Sequence, residues 1–352
     1  MISDLRVIDE PLAKSICRTC GVVHRRAMLP ADLFTTGYSL YAHSPGAARE
    51  AKRQDGYASW IAGQLTAPPA TVLDVGCGNG SLLLALERLW PQAVTRGIDP
   101  SPQSVQFARA AGIDARARAL GEPSDQQTEP ANLVVSVNVI EHTRAPGPFV
   151  REAAKLMAAN GELIVICPNG RTPWSELLIV DHRWSLAPTH LSTLFESEGL
   201  TVRSVSTAPA ELGSFFLVRG GRDGAGRRST SANAEPTTEQ AADKDRYLKV
   251  WRDMDARLED RTPPGALVCF GIGEAAGLLR AYAPRTWSRV ERCVADDPER
   301  DAFGALPVDE YRRVATPMTL LLGVRPPSQT AVAARLRADG HLPITWHDLV
   351  AS

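Results

Sequence analysis

The chain has 352 residues, 44% of them apolar and 22% charged, the balance of a soluble globular protein with room for two domains. Its formal net charge of −1 gives no electrostatic footprint for nucleic acid, and no uncharged apolar run reaches the length of a membrane span, so neither partner is expected. The N-terminal MISDLRVIDEPLAK lacks the basic-then-apolar layout of a signal peptide, which makes a cytoplasmic protein acting on a small molecule the expectation.

The first distinctive segment, SICRTCGVVHRRAMLP, carries a single C-x-x-C pair, Cys17 and Cys20. One such pair supplies half a tetrahedral site, so these two are candidate zinc ligands, with His24 as a further one. Cys77, Cys167, Cys269 and Cys293 fall in or beside apolar segments and read as buried thiols.

Residues 72–83, VLDVGCGNGSLL, form an apolar run that ends in Asp74, turns through Gly76, Gly78 and Gly80, and resumes as helix sequence. A strand, a glycine turn and a helix start bring backbone N–H groups close to a ligand at the positive end of the helix. Asp99 follows nineteen positions after Gly80, in AVTRGIDPS. An acid at about that distance closes the second strand and accepts hydrogen bonds from ribose hydroxyls, so the pair reads as a nucleoside site. Glycine plus acid alone leaves a nicotinamide dinucleotide open.

Asn132 to Glu141, NLVVSVNVIE, reads as a buried parallel strand whose carboxyl end places Ser136 and Asn138 beside the same ligand, with Glu141 and His142 as helix-start and packing residues. PFVREAAKLMAANG predicts a helix closed by Gly161, and ELIVICPNG another strand. LSTLFESEGLTVRSVSTAP and ELGSFFLVRGG add a helix and two strands. Residues 222–244 lack apolar periodicity and read as linker. Beyond them Leu248, Trp251, Met254 and Leu258 share one helical face. ALVCFGIGEAAGLLRAY then repeats the strand–glycine turn–helix pattern with Gly271, Gly273 and Gly277, and VERCVADDP sets Asp296 at a following strand end.

The VLDVGCGNG turn with GIDPS in register resembles the first two motifs of class I S-adenosylmethionine-dependent methyltransferases, and the strand ending in an EH pair fits the same family. The resemblance implies S-adenosylmethionine as cofactor, bound by Asp74, Gly76, Cys77, Gly78, Gly80, Asp99, Pro100, Ser136 and Asn138. Three features, CRTCG followed by LPADLFTTGYSLYAHSP, the segment LLIVDHRWSLAPTHLSTLFESEGL, and the second glycine-turn unit, are similar to nucleotide-sugar C-methyltransferases. That likeness implies four parts: an N-terminal arm with a partial zinc-knuckle-like segment (1–48), a methyltransferase core with a mostly parallel Rossmann-like α/β sheet (49–220), a linker (221–245), and a smaller Rossmann-like α/β domain (246–352) holding the nucleotide of the substrate through Gly271, Gly273 and Asp296. Tyr38 and Tyr41 would form a lid over the methyl donor.

In the same family an acid–His pair precedes the last core helix; here it is Asp181 and His182. His182 is then the base that takes the α proton of a keto-sugar, oriented by Asp181. Two departures stand against the closer likeness. Ile179 occupies a position where the family has tyrosine, and Glu274 sits beside the second turn, where a carboxylate repels a diphosphate. The remaining readings are O-methylation of a sugar or natural-product hydroxyl, and a non-catalytic S-adenosylmethionine-binding protein.

Overall fold

The computed structural model describes residues 1–29, 47–122, 129–222, 238–298, 300–312 and 316–350. The chain divides into two compact units, Ala13–Thr172 with Asp181–Ala241, and Met1–Leu12 with Pro173–Val180 and Ala242–Ser352.

The larger unit runs β1 (Lys14–Ile16), β2 (Val23–Arg25), α1 (Ala47–Ala62), β3 (Thr71–Val75), α2 (Ser81–Leu89), β4 (Val94–Asp99), α3 (Pro102–Ala110), β5 (Ala115–Ala117), β6 (Ala131–Val137), α4 (Pro146–Lys155), β7 (Met157–Pro168), β8 (Trp184–Ser185), α5 (Pro188–Ser197), β9 (Thr201–Thr207) and β10 (Phe215–Gly221). Its seven-stranded sheet has the order β5-β4-β3-β6-β7-β10-β9, and only β10 runs antiparallel to its neighbours. This is the mostly parallel α/β sheet expected for this part of the chain. The central strands are buried on both faces, which is why they read as near-continuous apolar runs. Chain order reverses between β3 and β6, and a ligand crevice belongs outside the carboxyl ends of strands at such a switch.

Two boundaries differ from the sequence expectation. The predicted helix over PFVREAAKLMAANG stops at Lys155, and its last residues join β7, where pairing with β6 shifts register between Ala131 and Leu133. Gly161 therefore lies within the strand; a Cβ there would come 2.7 Å from the Ala131 carbonyl oxygen. Strand β6 ends at Val137, so Glu141 is not on it; Asn138 turns into the left-handed region at φ 57° and Ile140–His142 form one 3-10 turn.

The C-x-x-C segment forms the β1–β2 hairpin, which pairs antiparallel with β8 in a three-stranded sheet. That pairing fixes the chain just after His182. Lys14 Nζ donates to the His182 carbonyl, Trp184 Nε1 donates to Thr143 O at 2.9 Å, and His24 stacks on Trp184 at 5.6 Å.

The smaller unit continues with α6 (Thr238–Arg252), α7 (Met254–Glu259), β11 (Leu267–Phe270), α8 (Glu274–Tyr282), α9 (Pro284–Trp287), β12 (Val290–Ala295), β13 (Ala302–Phe303), β14 (Leu306–Glu310), β15 (Thr319–Leu322), α10 (Pro326–Ala338), β16 (Leu342–Ile344) and α11 (His347–Val350). The sheet order is β13-β14-β12-β11-β15-β16, with a single antiparallel pairing at the β13 edge. Part of the expected 221–245 linker is thus helical, because α6 already begins at Thr238.

The expected arm 1–48 is also divided, since residues 1–12 and 173–180 pack with this unit. Met1, Leu178 and Ile179 join Trp251, Met254 and Leu258 in its core, and Val180 N donates to Met1 O at 2.8 Å. Gly277 makes the approach possible, because a Cβ there would meet Met1 Sδ at 2.5 Å. No described helix is long and apolar enough to cross a membrane.

Candidate functional site

The glycine turn after β3 is built as its sequence requires. Gly76, Gly78 and Gly80 all have positive φ, and Gly80 directly precedes α2. Gly76 N and Cys77 N donate to Ile98 O, at 2.8 and 3.1 Å, which locks the turn to the end of β4. A Cβ on Gly76 would lie 2.3 Å from Val139 Cγ2, whereas one on Gly78 would meet nothing within 4 Å. The middle of the turn is therefore open to a ligand. Cys77 is buried, and burial with the nearby carboxylates raises its thiol pKa, so it is an inert lining group.

At the tip of β4 the Asp99 carboxylate accepts from Gly78 N at 2.9 Å and from Ser101 N at 2.8 Å. Burial raises its pKa, and those two N–H groups oppose the rise. Two accepted bonds leave further lone pairs for ligand hydroxyls. Asp74 lies deeper, 2% exposed; burial and then the Asp99 charge push it up to about 8. Its Oδ1, Ser136 Oγ and Asn138 Oδ1 are buried without a hydrogen-bond partner among the described residues. Orphaned groups of this kind call for a polar ligand, and the acceptors among them suit an ammonium. Pro100 is exposed at the same strand end.

Asn138 is held from the other side by Tyr57 of α1. The Tyr57 hydroxyl accepts from Asn138 Nδ2 at 3.4 Å and from Arg53 Nη2 at 3.1 Å, and Tyr57 is fully buried. Sequence reasoning passed over both α1 residues. An Arg and a Tyr four apart on a helix look like an ordinary surface pair, and only the fold reveals what they face.

Beyond Asn138 the 3-10 turn brings Glu141 and His142 to the segment carrying Asp181 and His182. His142 Nδ1 lies 2.9 Å from Asp181 O and 3.6 Å from Asp181 Oδ2, and the His142 and His182 rings meet edge-on at 4.9 Å. A carbonyl only accepts, so Nδ1 of His142 carries the proton and Nε2 keeps its lone pair. Asp181 thus orients His142 directly, where the sequence reading had it orient His182. His142, read there as a packing residue, is an integral member of the cluster.

Burial lowers the pKa of His142 against the opposing pull of Asp181, and burial followed by the His142 charge lowers His182 well below its ordinary value. Both imidazoles are neutral near pH 7. A base must be unprotonated to act, so the acid limb of a pH–rate profile governed by His182 falls below pH 6.5. The profile of kcat/KM checks this, and a limb above 6.5 contradicts it.

Cys17 and Cys20 share one turn, closed by Gly21 N donating to Cys17 O at 2.8 Å. The N–H groups of Cys20 and Thr19 hold the Cys17 thiol below its ordinary pKa, an arrangement that favours a thiolate. Among the described residues no third His, Cys, Asp or Glu gathers with them, and His190 Nε2 bonds instead to Cys20 O at 2.6 Å. Tyr38 and Tyr41, the expected lid, lie outside the described residues.

In the smaller unit Gly271 (φ 107°) makes the expected close turn, a Cβ there meeting Gly323 O at 2.7 Å, and Gly273 precedes α8 in open space. Asp296 does stand at the end of β12, but it is exposed and paired with Arg335 at 3.0 Å. Glu274 opens α8, placing a carboxylate at the anion-binding end of the helix.

The larger unit is a doubly wound α/β domain with the glycine turn and Asp99 at its switch point. Residues 49–205 match the family described as "Methyltransferase domain". A ubiquinone biosynthesis O-methyltransferase of Xanthomonas oryzae pv. oryzae (strain PXO99A) is 32% identical over 127 residues, covering 34% of this chain and 52% of that protein. One of Xanthomonas axonopodis pv. citri (strain 306) is 27% identical over 168 residues, covering 42% and 69%. The chain spans about half the length of the first of these relatives. Among solved structures, the putative methyltransferase complexed with the Trm112 activator of Haloferax volcanii is similar at 18% identity and TM-score 0.45, over 53% of this chain and 97% of that one. The magnesium protoporphyrin IX methyltransferase of Synechocystis PCC 6803 with bound SAM follows at 16% identity and TM-score 0.39, over 49% and 80%.

Proposed function

We propose that this protein is an S-adenosylmethionine-dependent methyltransferase acting on a small molecule, and that it methylates carbon beside the keto group of a nucleotide-linked sugar. The carrying observation is the pair of half-buried, neutral imidazoles, His142 and His182, beyond the left-handed Asn138 at the carboxyl end of β6. The donor supplies an electrophilic methyl group on a sulfonium. Asp99 would hold its ribose hydroxyls, the glycine turn would supply backbone N–H groups to it, and Asp74 with Asn138 would hold its ammonium. His182 removes the α proton from the acceptor, so that the enolate carbon attacks in line, while His142, fixed by the Asp181 carbonyl, keeps the base in place. Gly271, Gly273 and Asp296 serve the nucleotide in this reading, and Asp296 must then exchange Arg335 for a ribose.

A second reading, methylation of a hydroxyl, has support in the names of the relatives, which are O-methyltransferases. The two differ in what exchanges with solvent. Carbon methylation predicts His182-dependent wash-in of deuterium at the α carbon of a keto-sugar when S-adenosylhomocysteine replaces the donor; absence of exchange, with the product methyl on oxygen, refutes it.

Asp74 gives an independent check on the donor. Raised to about 8, it is mostly protonated at pH 7, and an ammonium placed beside it pulls that value down. Binding of S-adenosylmethionine at pH 7 then releases close to one proton. Titration calorimetry in two buffers of different ionisation enthalpy should show it, Asp74→Asn should remove it, and a buffer-independent heat in the wild type contradicts it.

A further inference from the structure

Glu141, His142 and His182 each present one ligand atom, and the three atoms lie within 4.8 Å of one another. They come from two segments that Trp184 Nε1 joins by donating to Thr143 O. The first is the 3-10 turn after Asn138, and the second is the stretch before β8 that the β1–β2 hairpin clamps through Lys14 and strand pairing. We propose that these three residues form a binding site for one divalent transition-metal ion of the zinc class, and that filling it switches the methyltransferase off.

Two imidazole nitrogens and one carboxylate oxygen are the donor set of borderline ions such as Zn2+ and Co2+, which hard Mg2+ and Ca2+ do not favour. Three protein ligands also leave a coordination position for water or an acceptor oxygen. The tautomer is already correct. His142 Nδ1 donates to Asp181 O at 2.9 Å, with Asp181 Oδ2 at 3.6 Å, which leaves the lone pair on Nε2, 4.0 Å from Glu141 Oε1. A metal-bound histidine is regularly held by such a bond from its other nitrogen to a carbonyl or carboxylate. Metal–ligand bonds of about 2.0–2.2 Å require the three atoms to close in by roughly 1 Å. Among charged groups around the cluster, Asp181 favours a cation, and Lys14, bonded to the His182 carbonyl, opposes it.

The consequence for turnover rests on the reading of His182 as base, whereas ion binding does not. A nitrogen whose lone pair is bonded to a metal ion cannot accept a proton, so the ion competes with the proton that His182 would remove. The donor crevice is untouched, because none of the three residues belongs to the glycine turn or to Asp99.

Titration of the full-length protein with Co2+, followed by absorption spectroscopy, tests the site. One equivalent should bind with a nitrogen–oxygen spectrum lacking thiolate-to-cobalt charge transfer, and the spectrum should persist in a Cys17→Ser/Cys20→Ser variant. His142→Ala and His182→Ala should each weaken binding about tenfold or more. Affinity for S-adenosylhomocysteine, unchanged in those variants, certifies their fold, and the wild-type spectrum decides the matter if either is unfolded. No stoichiometric binding, a thiolate spectrum, or affinity indifferent to both histidine variants overturns the site. Zn2+ should lower kcat in a way EDTA reverses. If the ion binds at the three residues and turnover does not fall, the site stands and the assignment of His182 as base fails.

Discussion

His182→Ala lowers kcat by roughly 10²–10⁴-fold while leaving affinity for S-adenosylhomocysteine within about twofold. The split follows from where the residue sits. Its ring meets His142 edge-on at 4.9 Å and its carbonyl is tied down by Lys14. The groups proposed to hold the donor, by contrast, are Asp99, Asp74 and the glycine turn at the ends of β3 and β4. Burial keeps the imidazole neutral, so the wild type has a base available at pH 7 and the variant has none. His142→Ala loses less, because it removes only the neighbour that fixes the ring. Steady-state kinetics with calorimetry separates the two effects; loss of donor affinity in His182→Ala moves the residue to the cofactor side, and unchanged kcat removes it from the chemistry.

The second large effect is structural. Gly76→Ala places a methyl group 2.3 Å from Val139 Cγ2 in a backbone held at φ 84°. A left-handed conformation costs a residue with a side chain about 1–2 kcal/mol, and overpacking against a stiff β-branched neighbour adds about 1–3. Val139 leads into the 3-10 turn of Glu141 and His142, so relief of the clash propagates from the donor turn to the acceptor end. The expected result is a domain destabilised by about 2–5 kcal/mol, with weakened donor binding. Gly78→Ala is the control. It has open space and φ 53°, and costs only the backbone term, about 1 kcal/mol. Denaturant unfolding compares them, and equal losses would show that the Val139 contact does not matter.

The glycine turn and the position of Asp99 were legible because they depend on local rules. Positive φ demands glycine, a strand demands an apolar run, and Asp99 falls at a distance fixed by one helix and one strand. The acceptor side depends on long-range placement, and there the sequence said less. Nothing local marks Asn138 as the end of β6, so Glu141 was read as strand; the left-handed turn at Asn138 is what swings Glu141 and His142 toward His182. Asp181 looked like the partner of the residue beside it, yet its carbonyl and carboxylate face His142. Residues 1–12 and 173–180 carry no periodic signal, and their place in the smaller unit's core depends on Gly277 leaving room for Met1. Asp296 was expected at a strand end, but the sequence does not reveal that Arg335, from α10, pairs with it.

The central claim, that the crevice over Gly76–Gly80 and Asp99 binds S-adenosylmethionine, is tested most directly by calorimetric titration of the wild type and Asp99→Ala with that ligand. Asp99 accepts from Gly78 N and Ser101 N, so its loss loosens the turn and removes the proposed ribose acceptor together. Hydrogen bonds to a charged group contribute about 1.5–3 kcal/mol each. The account predicts one site per chain in the wild type and affinity at least tenfold weaker in the variant; no binding to the wild type, or equal affinity in both, would contradict it.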